Sequence, residues 1–233
     1  MQAEARIKEL VLLGGDPAAR ILCPPQLIPQ PGQYLLAQAD GSEAPLAVSV
    51  FAAKNFVDAS VVESGFLAAP PVPSVWSPGM RLYLRGPLGH GFELPASARR
   101  VALIAFDDSP VRLLPLLDQA LEQGSSVVVV CETPPDDLPL QVEVQPLRAI
   151  PDVRNWADYV ALDAARESLP ELRKKFRQVG PSGARYDAQI LVRTSMPCGA
   201  LAQCGVCAVD VKHGHLLACE DGPVFDLKLL LEP

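Results

Sequence analysis

The chain has 233 residues, 49% of them hydrophobic, which suffices for two domains with buried cores and a small additional module. Its formal net charge of −7 argues against binding to nucleic acid or to an anionic membrane surface. No apolar run approaches the roughly 18 residues of a membrane-spanning helix, and the charged N-terminal segment lacks the apolar core of a signal peptide. We therefore expect a cytoplasmic protein whose cysteines stay reduced.

Residues 1–96 have the pattern of an antiparallel β-barrel. Short apolar or alternating segments are separated by turn residues such as Gly14-Gly15, Pro24-Pro25 and Pro31-Gly32. The segments that predict strands are 6–13, 20–23, 34–39, 46–51, 60–63 and 81–85. Many short strands at this spacing favour a small barrel.

Residues 97–195 predict an α/β domain. Segment 100–105 is continuously apolar, as expected of a strand covered on both faces. Ser109-Pro110 then predicts the start of a helix, which Gly124 ends, and segment 126–131 is the next buried strand. Further strands are predicted at 158–162 and 188–192, and a helix capped by Ser168 at 171–177, while 133–150 allows no assignment.

Four cysteines near the end of the chain predict a metal-binding module. Cys198, Cys204, Cys207 and Cys219 are separated by five, two and eleven residues. Segments 208–211 and 215–218 predict a hairpin whose antiparallel return brings Cys219 beside Cys207. Four thiolates suit a [2Fe–2S] cluster or Zn²⁺. The single Cys-x2-Cys pair favours the cluster, with zinc, or a disulfide or unliganded cysteines, as alternatives; Cys23 and Cys131 are predicted to be buried apolar residues.

Three motifs lie at separate places along the chain. They are Pro31-Gly32-Gln33-Tyr34, residues 86–92 (GPLGHGF), and the cysteine flanks 196–199 (MPCG) and 219–225 (CEDGPVF). All three resemble the electron-transfer subunit of type B dihydroorotate dehydrogenase, in the ferredoxin–NADP reductase-like superfamily. The resemblance implies a β-barrel plus an α/β domain, a ferredoxin-reductase-like two-domain scaffold with a C-terminal iron–sulfur module. The implied domains are a flavin-binding-like barrel (1–96), a nucleotide-binding-like domain (97–195) and a [2Fe–2S] module (196–233).

The resemblance also implies where FAD would bind, and there the sequence departs from the family. An Arg-Pro-x-Ser stretch on a barrel strand binds FAD in the family; here Pro45 or Ser49 can be matched, but the Arg is missing. The second flavin contact, a Gly-rich segment at a helix N-terminus, corresponds to residues 65–74. Ser74 can still cap a helix, but prolines supply no N–H donors. FAD at Pro45, Ser49 and Ser74 stays a hypothesis, and we expect weak binding.

The nicotinamide side departs further. The family has a Gly-rich turn after the first α/β strand, whereas this chain has Phe106-Asp107-Asp108-Ser109-Pro110. The two carboxylates there would repel the like charge of a pyrophosphate. We expect them instead to stabilise the N-terminus of their own helix. Residues 162–164 (LDA) replace a Cys-Gly-Pro. We therefore expect NAD(P) binding, and with it independent NAD(P)H oxidation, to be lost.

The function that the resemblance implies is electron transfer through a [2Fe–2S] cluster to or from a dihydroorotate dehydrogenase-like catalytic flavoprotein, in a hetero-oligomer that serves pyrimidine biosynthesis. One alternative is a non-redox assembly or regulatory subunit with a structural metal. Another is a conventional FAD- and NAD-dependent reductase with unorthodox loops. We predict no catalytic residue. His90 is expected to be a loop residue near the domain junction, and His213 and His215 to be exposed hairpin residues.

Overall fold

The structure, a computed structural model, describes residues 1–41, 47–58, 63–107, 109–135, 137–178 and 187–231. The first part of the chain contains six strands: β1 Gln2–Leu13, β2 Asp16–Leu22, β3 Tyr34–Ala39, β4 Val48–Asp58, β5 Glu63–Ala68 and β6 Arg81–Leu88. They pair antiparallel in the order β1-β2-β5-β4-β3-β6 and close into a barrel. The predicted barrel is therefore confirmed, and its interior is filled by apolar side chains such as Ile7, Ile21 and Phe66.

The fifth barrel strand lies later in the chain than the sequence predicted. A strand was expected at 60–63, but β5 begins at Glu63, and residues 59–62 lie outside the described part of the chain. The reason is that segment 65–68, interpreted as a flavin loop, is itself part of β5. Gly65 permits this because a Cβ there would lie 2.0 Å from the Ile21 carbonyl oxygen on the neighbouring strand.

The described residues of the rest of the chain form eight strands and four α-helices. The strands are β7 Arg100–Ala105, β8 Ser126–Val130, β9 Glu143–Gln145, β10 Tyr159–Ala165, β11 Asp187–Arg193, β12 Ala208–Val211, β13 Gly214–Leu217 and β14 Val224–Asp226. The α-helices are α1 Leu114–Glu122, α2 Ile150–Trp156, α3 Leu169–Gln178 and α4 Leu227–Leu231. Short 3₁₀ helices cover Pro25–Leu27, Pro110–Leu113, Leu147–Ala149 and Arg166–Ser168.

One six-stranded sheet has the order β14-β11-β10-β7-β8-β9, in which only β14 is antiparallel to its neighbour. The alternating side chains of β7 enter two cores, Val101 and Leu103 on one face and Ala102 and Ile104 on the other. The predicted α/β domain is thus confirmed. Segment 133–150, which had no assignment, contributes β9 and a 3₁₀ helix, and α2 starts at its last residue.

The C-terminal segment is built into the α/β domain. Strands β12 and β13 form the predicted hairpin, and β14 extends the sheet by pairing with β11. Cys207, Val209 and Cys219 belong to the same hydrophobic core as Ile190 of β11. Among the described residues, no helix combines the length and apolar character that crossing a bilayer requires.

Candidate metal centre

The cluster loop, residues 196–207, has an unusual backbone. Gly199, Ala200, Ala202 and Gly205 all have positive φ angles, of 64°, 59°, 55° and 68°. Two of them are alanines, although residues with a Cβ rarely adopt this conformation. The small side chains and the left-handed turns let the loop curl back on itself, so that backbone N–H groups reach the cysteine sulfur atoms.

Cys198 lies at the focus of this curled loop. The backbone N–H groups of Gln203 and Leu201 donate hydrogen bonds to its sulfur and lower the pKa of the thiol to about 6. The thiol and the N–H of Cys204 donate to the same sulfur. Hydrogen bonds that favour the thiolate are the environment that a metal-binding cysteine needs.

The second pair of cysteines is buried under the hairpin. The Cys207 thiol donates to the Cys219 sulfur at 3.3 Å, and the N–H of Ala218 donates to the Cys207 carbonyl at 3.1 Å. The predicted antiparallel return is therefore confirmed. Burial and the neighbouring Cys207 thiol raise the pKa of Cys219 to about 12, while the N–H of Ala202 donates to its sulfur and acts in the opposite direction.

The four thiols thus stand as two adjacent pairs, with Ala202 of the loop reaching the sulfur of the hairpin pair. In the described ranges, no three His, Cys, Asp or Glu side chains already form a group that could hold one metal ion. The donor set still suits an iron–sulfur cluster, because thiolates are its usual ligands and N–H···S hydrogen bonds are its usual surroundings. That these four cysteines are the ligands stays a prediction.

Cys23 and Cys131 are buried away from these pairs, as expected of small apolar residues. Burial raises the pKa of both thiols, that of Cys23 to about 11. His213 and His215 are exposed in the hairpin, as predicted. His90 is an exposed residue at the junction described next, also as predicted.

The three sequence motifs meet at one junction between barrel and module. Phe92 donates its N–H to the Pro31 carbonyl at 2.8 Å, and His90 donates its N–H to the Gly222 carbonyl at 2.6 Å. Gly89, at φ +73°, lies so close to Pro223 that a Cβ would be 2.5 Å from its Cδ. The motifs therefore hold the cysteine segment against the barrel.

Two barrel residues that the sequence did not single out reach the cysteine segments. The Tyr34 hydroxyl on β3 donates to the Cys219 carbonyl at 3.1 Å. The Arg85 guanidinium on β6 donates to the Gly199 carbonyl. Tyr34 stands in a quoted motif but was interpreted only as a strand start. Arg85 directly precedes the GPLGHGF motif, and no sequence signal indicated its contact.

The proposed flavin residues are only partly described. Pro45 lies outside the described residues. Ser49 on β4 lines two cavities of about 350 and 480 Å³ at the junction of barrel and sheet. Ser74 is exposed and caps no helix. Ser74 follows Pro73 in a turn that the Trp76 N–H closes by donating to the Pro73 carbonyl at 3.0 Å. The expectation that Ser74 can cap a helix was therefore wrong.

At the carboxyl-terminal edge of the parallel sheet, four charged side chains form what we call the sheet-edge network: Asp107, Arg112, Asp163 and Arg193. Arg193 contacts Asp163 at 2.7 Å and also contacts Asp107. Arg112, only 5% exposed, lies 3.5 Å from Asp163 and donates to the Pro70 carbonyl. Burial raises the pKa of Asp163, and the two guanidiniums oppose that rise.

The network corrects one expectation. Asp107 was expected to stabilise the N-terminus of its own helix, but its carboxylate accepts from the Ala165 N–H at 2.8 Å and contacts Arg193. The reason is that β7 and β10 are adjacent in the sheet, so the turn after β7 lies beside the end of β10. Asp108 lies outside the described residues.

Comparison with known proteins agrees with this arrangement. Residues 194–231 match the family model for the iron–sulfur cluster binding domain of dihydroorotate dehydrogenase B. The NADH-dependent reduced ferredoxin–NADP oxidoreductase, studied for flavin-based electron bifurcation, superposes over 97% of this chain and 89% of its own, with a TM-score of 0.72 and 16% identity. A cytochrome P450 reductase of Amycolatopsis superposes over 82% and 71%, with a TM-score of 0.58 and 16% identity.

A ferredoxin reductase of carbazole 1,9a-dioxygenase superposes over 79% of this chain and 67% of its own, with a TM-score of 0.57 and 16% identity. At such identities the likeness shows the fold alone. The fold is therefore ferredoxin-reductase-like, and the residues that match the iron–sulfur family model lie at its C-terminal end. The match of residues 194–231 to the iron–sulfur cluster binding domain of dihydroorotate dehydrogenase B agrees with the resemblance to the electron-transfer subunit of that enzyme.

Proposed function

We propose that this chain is an electron-transfer subunit that holds one [2Fe–2S] cluster through Cys198, Cys204, Cys207 and Cys219. The observation that carries the proposal is the convergence of backbone N–H groups on cysteine sulfurs in the segment that matches the family model. When bound, such a cluster takes up and releases single electrons. The protein supplies the thiolates, the N–H donors and a buried wall against which the cysteine segments pack.

The same observation favours a cluster over structural zinc. Zinc ribbons use paired Cys-x2-Cys segments, but here one ligand would come from a curled loop and the last from the end of a hairpin. N–H donors directed at sulfur also stabilise the extra negative charge that a redox centre receives on reduction. A redox-inert metal has no such requirement.

The partner we propose is a catalytic flavoprotein of the dihydroorotate dehydrogenase kind, bound in a hetero-oligomer. The match of residues 194–231 to the iron–sulfur domain of that enzyme supports it. We also propose a cytoplasmic location, where thiols stay reduced and can bind a cluster. Because Asp107 lies in the turn where the resemblance implies a Gly-rich nucleotide loop, we also propose that electrons pass between the cluster and the partner or an external carrier, without NAD(P)H binding to this chain.

The test is anaerobic purification followed by visible absorption, iron and sulfide analysis, and EPR of the reduced protein. We expect broad brown absorbance that bleaches on reduction, with two irons and two sulfides per chain as a [2Fe–2S] cluster requires. Colourless protein that contains zinc would contradict the proposal. Sharp flavin bands at full stoichiometry would instead favour a conventional reductase.

The ligand assignment is tested by serine substitutions. Cys198→Ser, Cys204→Ser, Cys207→Ser and Cys219→Ser should each lower the iron content and loosen the C-terminal segment, because cluster binding and local folding are coupled. Cys23→Ser and Cys131→Ser are matched controls and should keep full iron. A ligand variant with full iron and an unaltered EPR signal would remove that residue from the set.

A further inference from the structure

Tyr34 links the interior of the barrel to the peptide of a cysteine. Its side chain is completely buried, and its hydroxyl donates to the Cys219 carbonyl at 3.1 Å. The ring packs against Phe51 at a centroid distance of 6.0 Å. The pairing of β3 with β6 is irregular between Tyr34 and Leu36, and such bulges re-aim side chains. The geometry thus directs one barrel tyrosine at one cysteine segment.

Arg85 makes the matching contact with the other cysteine segment. It pairs with Leu36 across β3 and β6, and its guanidinium donates to the carbonyl of Gly199, the residue after Cys198. Arg85 and Cys198 line the same surface cavity of about 370 Å³. Among the described residues, the Arg85 guanidinium contacts this carbonyl and forms no ion pair with a carboxylate.

Tyr34 and Arg85 reach the two cysteine segments from the same barrel. Tyr34 contacts the peptide of Cys219, and Arg85 contacts the peptide of the residue after Cys198. Arg85 and the thiols of Cys219, Cys207 and Cys198 also act electrostatically on the Tyr34 hydroxyl. A cation and a hydroxyl donor of the barrel are therefore held against both cysteine segments.

We infer that Tyr34 and Arg85 are positioning residues of the cluster site, and that Arg85 also raises the reduction potential of the cluster. This inference rests on the proposed function. A cluster bound by four thiolates carries more negative charge after it accepts an electron. A nearby guanidinium in a partly buried setting stabilises the reduced form more than the oxidised form. Tyr34 instead restrains the Cys219 peptide, so its effect is on how long the cluster is retained.

The first experiment measures the midpoint potential of the as-purified protein and of Arg85→Gln by EPR-monitored titration. We expect Arg85→Gln to lower the equilibrium constant for one-electron reduction of the cluster about tenfold, which is a decrease of about 59 mV in the midpoint potential. Arg85→Lys should restore most of the potential because it restores the charge. Arg81→Gln is the matched control, since Arg81 lies on the same strand but pairs with Asp40 at 2.6 Å, and it should leave the potential unchanged.

An Arg85→Gln protein with full iron and an unchanged potential would overturn the electrostatic inference while leaving the proposed function intact. Iron loss in Arg85→Gln, with the native far-UV spectrum retained and iron restored in Arg85→Lys, would support the positioning role. Wild-type protein without iron would overturn the proposed function and this inference together.

The second experiment follows iron release to a chelator. Tyr34→Phe keeps the ring but removes the hydroxyl, and we expect release several-fold faster than in wild type, since one buried hydrogen bond is lost. Tyr159→Phe is the matched control, because it removes a hydroxyl that donates to Gln189 at 2.6 Å inside the α/β domain. Equal release rates in Tyr34→Phe and wild type would overturn the role of Tyr34.

Discussion

The cluster loop and the sheet-edge network both gather polar and charged groups, but they satisfy them differently. In the loop, backbone N–H groups point at sulfur atoms that can themselves bind a metal. At the sheet edge, the carboxylates contact guanidinium or N–H groups of the same chain. The difference teaches that the loop directs its donors at atoms that can bind a further group, whereas the carboxylates of the sheet edge are already paired within the chain.

The largest effect that we predict is the loss of stability when Asp163 is substituted. Asp163 is 1% exposed and contacts both Arg112 and Arg193. Asp163→Ala removes the shared partner of two guanidiniums. We expect the free energy of unfolding to fall by about 3–5 kcal/mol, as when one member of a buried ion pair is deleted. Urea denaturation monitored by circular dichroism measures it.

Asp158→Ala is the matched control. Asp158 pairs with Arg100 at 2.6 Å where solvent reaches both side chains and screens the pair, and it also accepts from the N–H groups of Arg99 and Arg100, so a loss clearly smaller than that of Asp163→Ala is expected. If Asp163→Ala were as stable as Asp158→Ala, the sheet-edge network would not be structural, and its residues would have to be reconsidered as ligand-binding groups.

A smaller effect is expected for flavin. The pyrophosphate-pairing Arg is absent from the sequence, and the segment around Ser74 offers a turn where a helix N-terminus would be needed. A hydrogen bond to a charged group contributes about 1.5–3 kcal/mol, and each 1.4 kcal/mol is about a tenfold change in affinity. We expect the isolated chain to contain clearly less than one FAD per protein.

Acid release of cofactor from freshly purified protein, with flavin quantified against protein and iron, measures this. Ser49 and its two cavities leave space beside the barrel, so residual flavin should respond to Ser49→Ala. A flavin-to-protein ratio near one would contradict the prediction of weak flavin binding and would favour a protein that holds both FAD and a cluster.

The smallest expected signal is that of NADH. Asp107 places a carboxylate in the turn where the resemblance implies glycines, so a pyrophosphate there would meet like charge, and calorimetry with about 1 mM NADH should give no saturable heat. An NADH-dependent reductase titrated in parallel is the positive control. A dissociation constant in the micromolar range would show that the network opens for a dinucleotide.

The fold was largely predictable because its signals are local. The bounds of β3, β7 and β12 agree with the prediction, since apolar runs and flanking turn residues mark a strand wherever it pairs. The hairpin that joins Cys207 to Cys219 follows from the same kind of pattern. β9 and α2 were not predicted. The three residues of β9 are exposed or half-buried, and α2 is a seven-residue helix with a proline in its first turn, so neither leaves a periodicity to count.

The surroundings of the cysteines were less predictable because they depend on distant contacts. Tyr34 and the Cys219 carbonyl are 185 residues apart, and Arg85 and Gly199 are 114 apart. The partners of Asp107 likewise come from other strands, 58 and 86 residues away. Only closure of the barrel and the order of the sheet bring these groups together, and neither produces a local sequence pattern around the residues concerned.

Strand β14 gives the cysteine-bearing segment a second task. It covers β11 at Gln189, Ile190 and Leu191, which would otherwise be an open sheet edge. A chain shortened after residue 195 would expose unpaired backbone groups that invite association with other chains. The segment is therefore also a structural part of the sheet. Deleting it to obtain a cofactor-free protein would lower the solubility of the remaining chain as well as remove its redox chemistry.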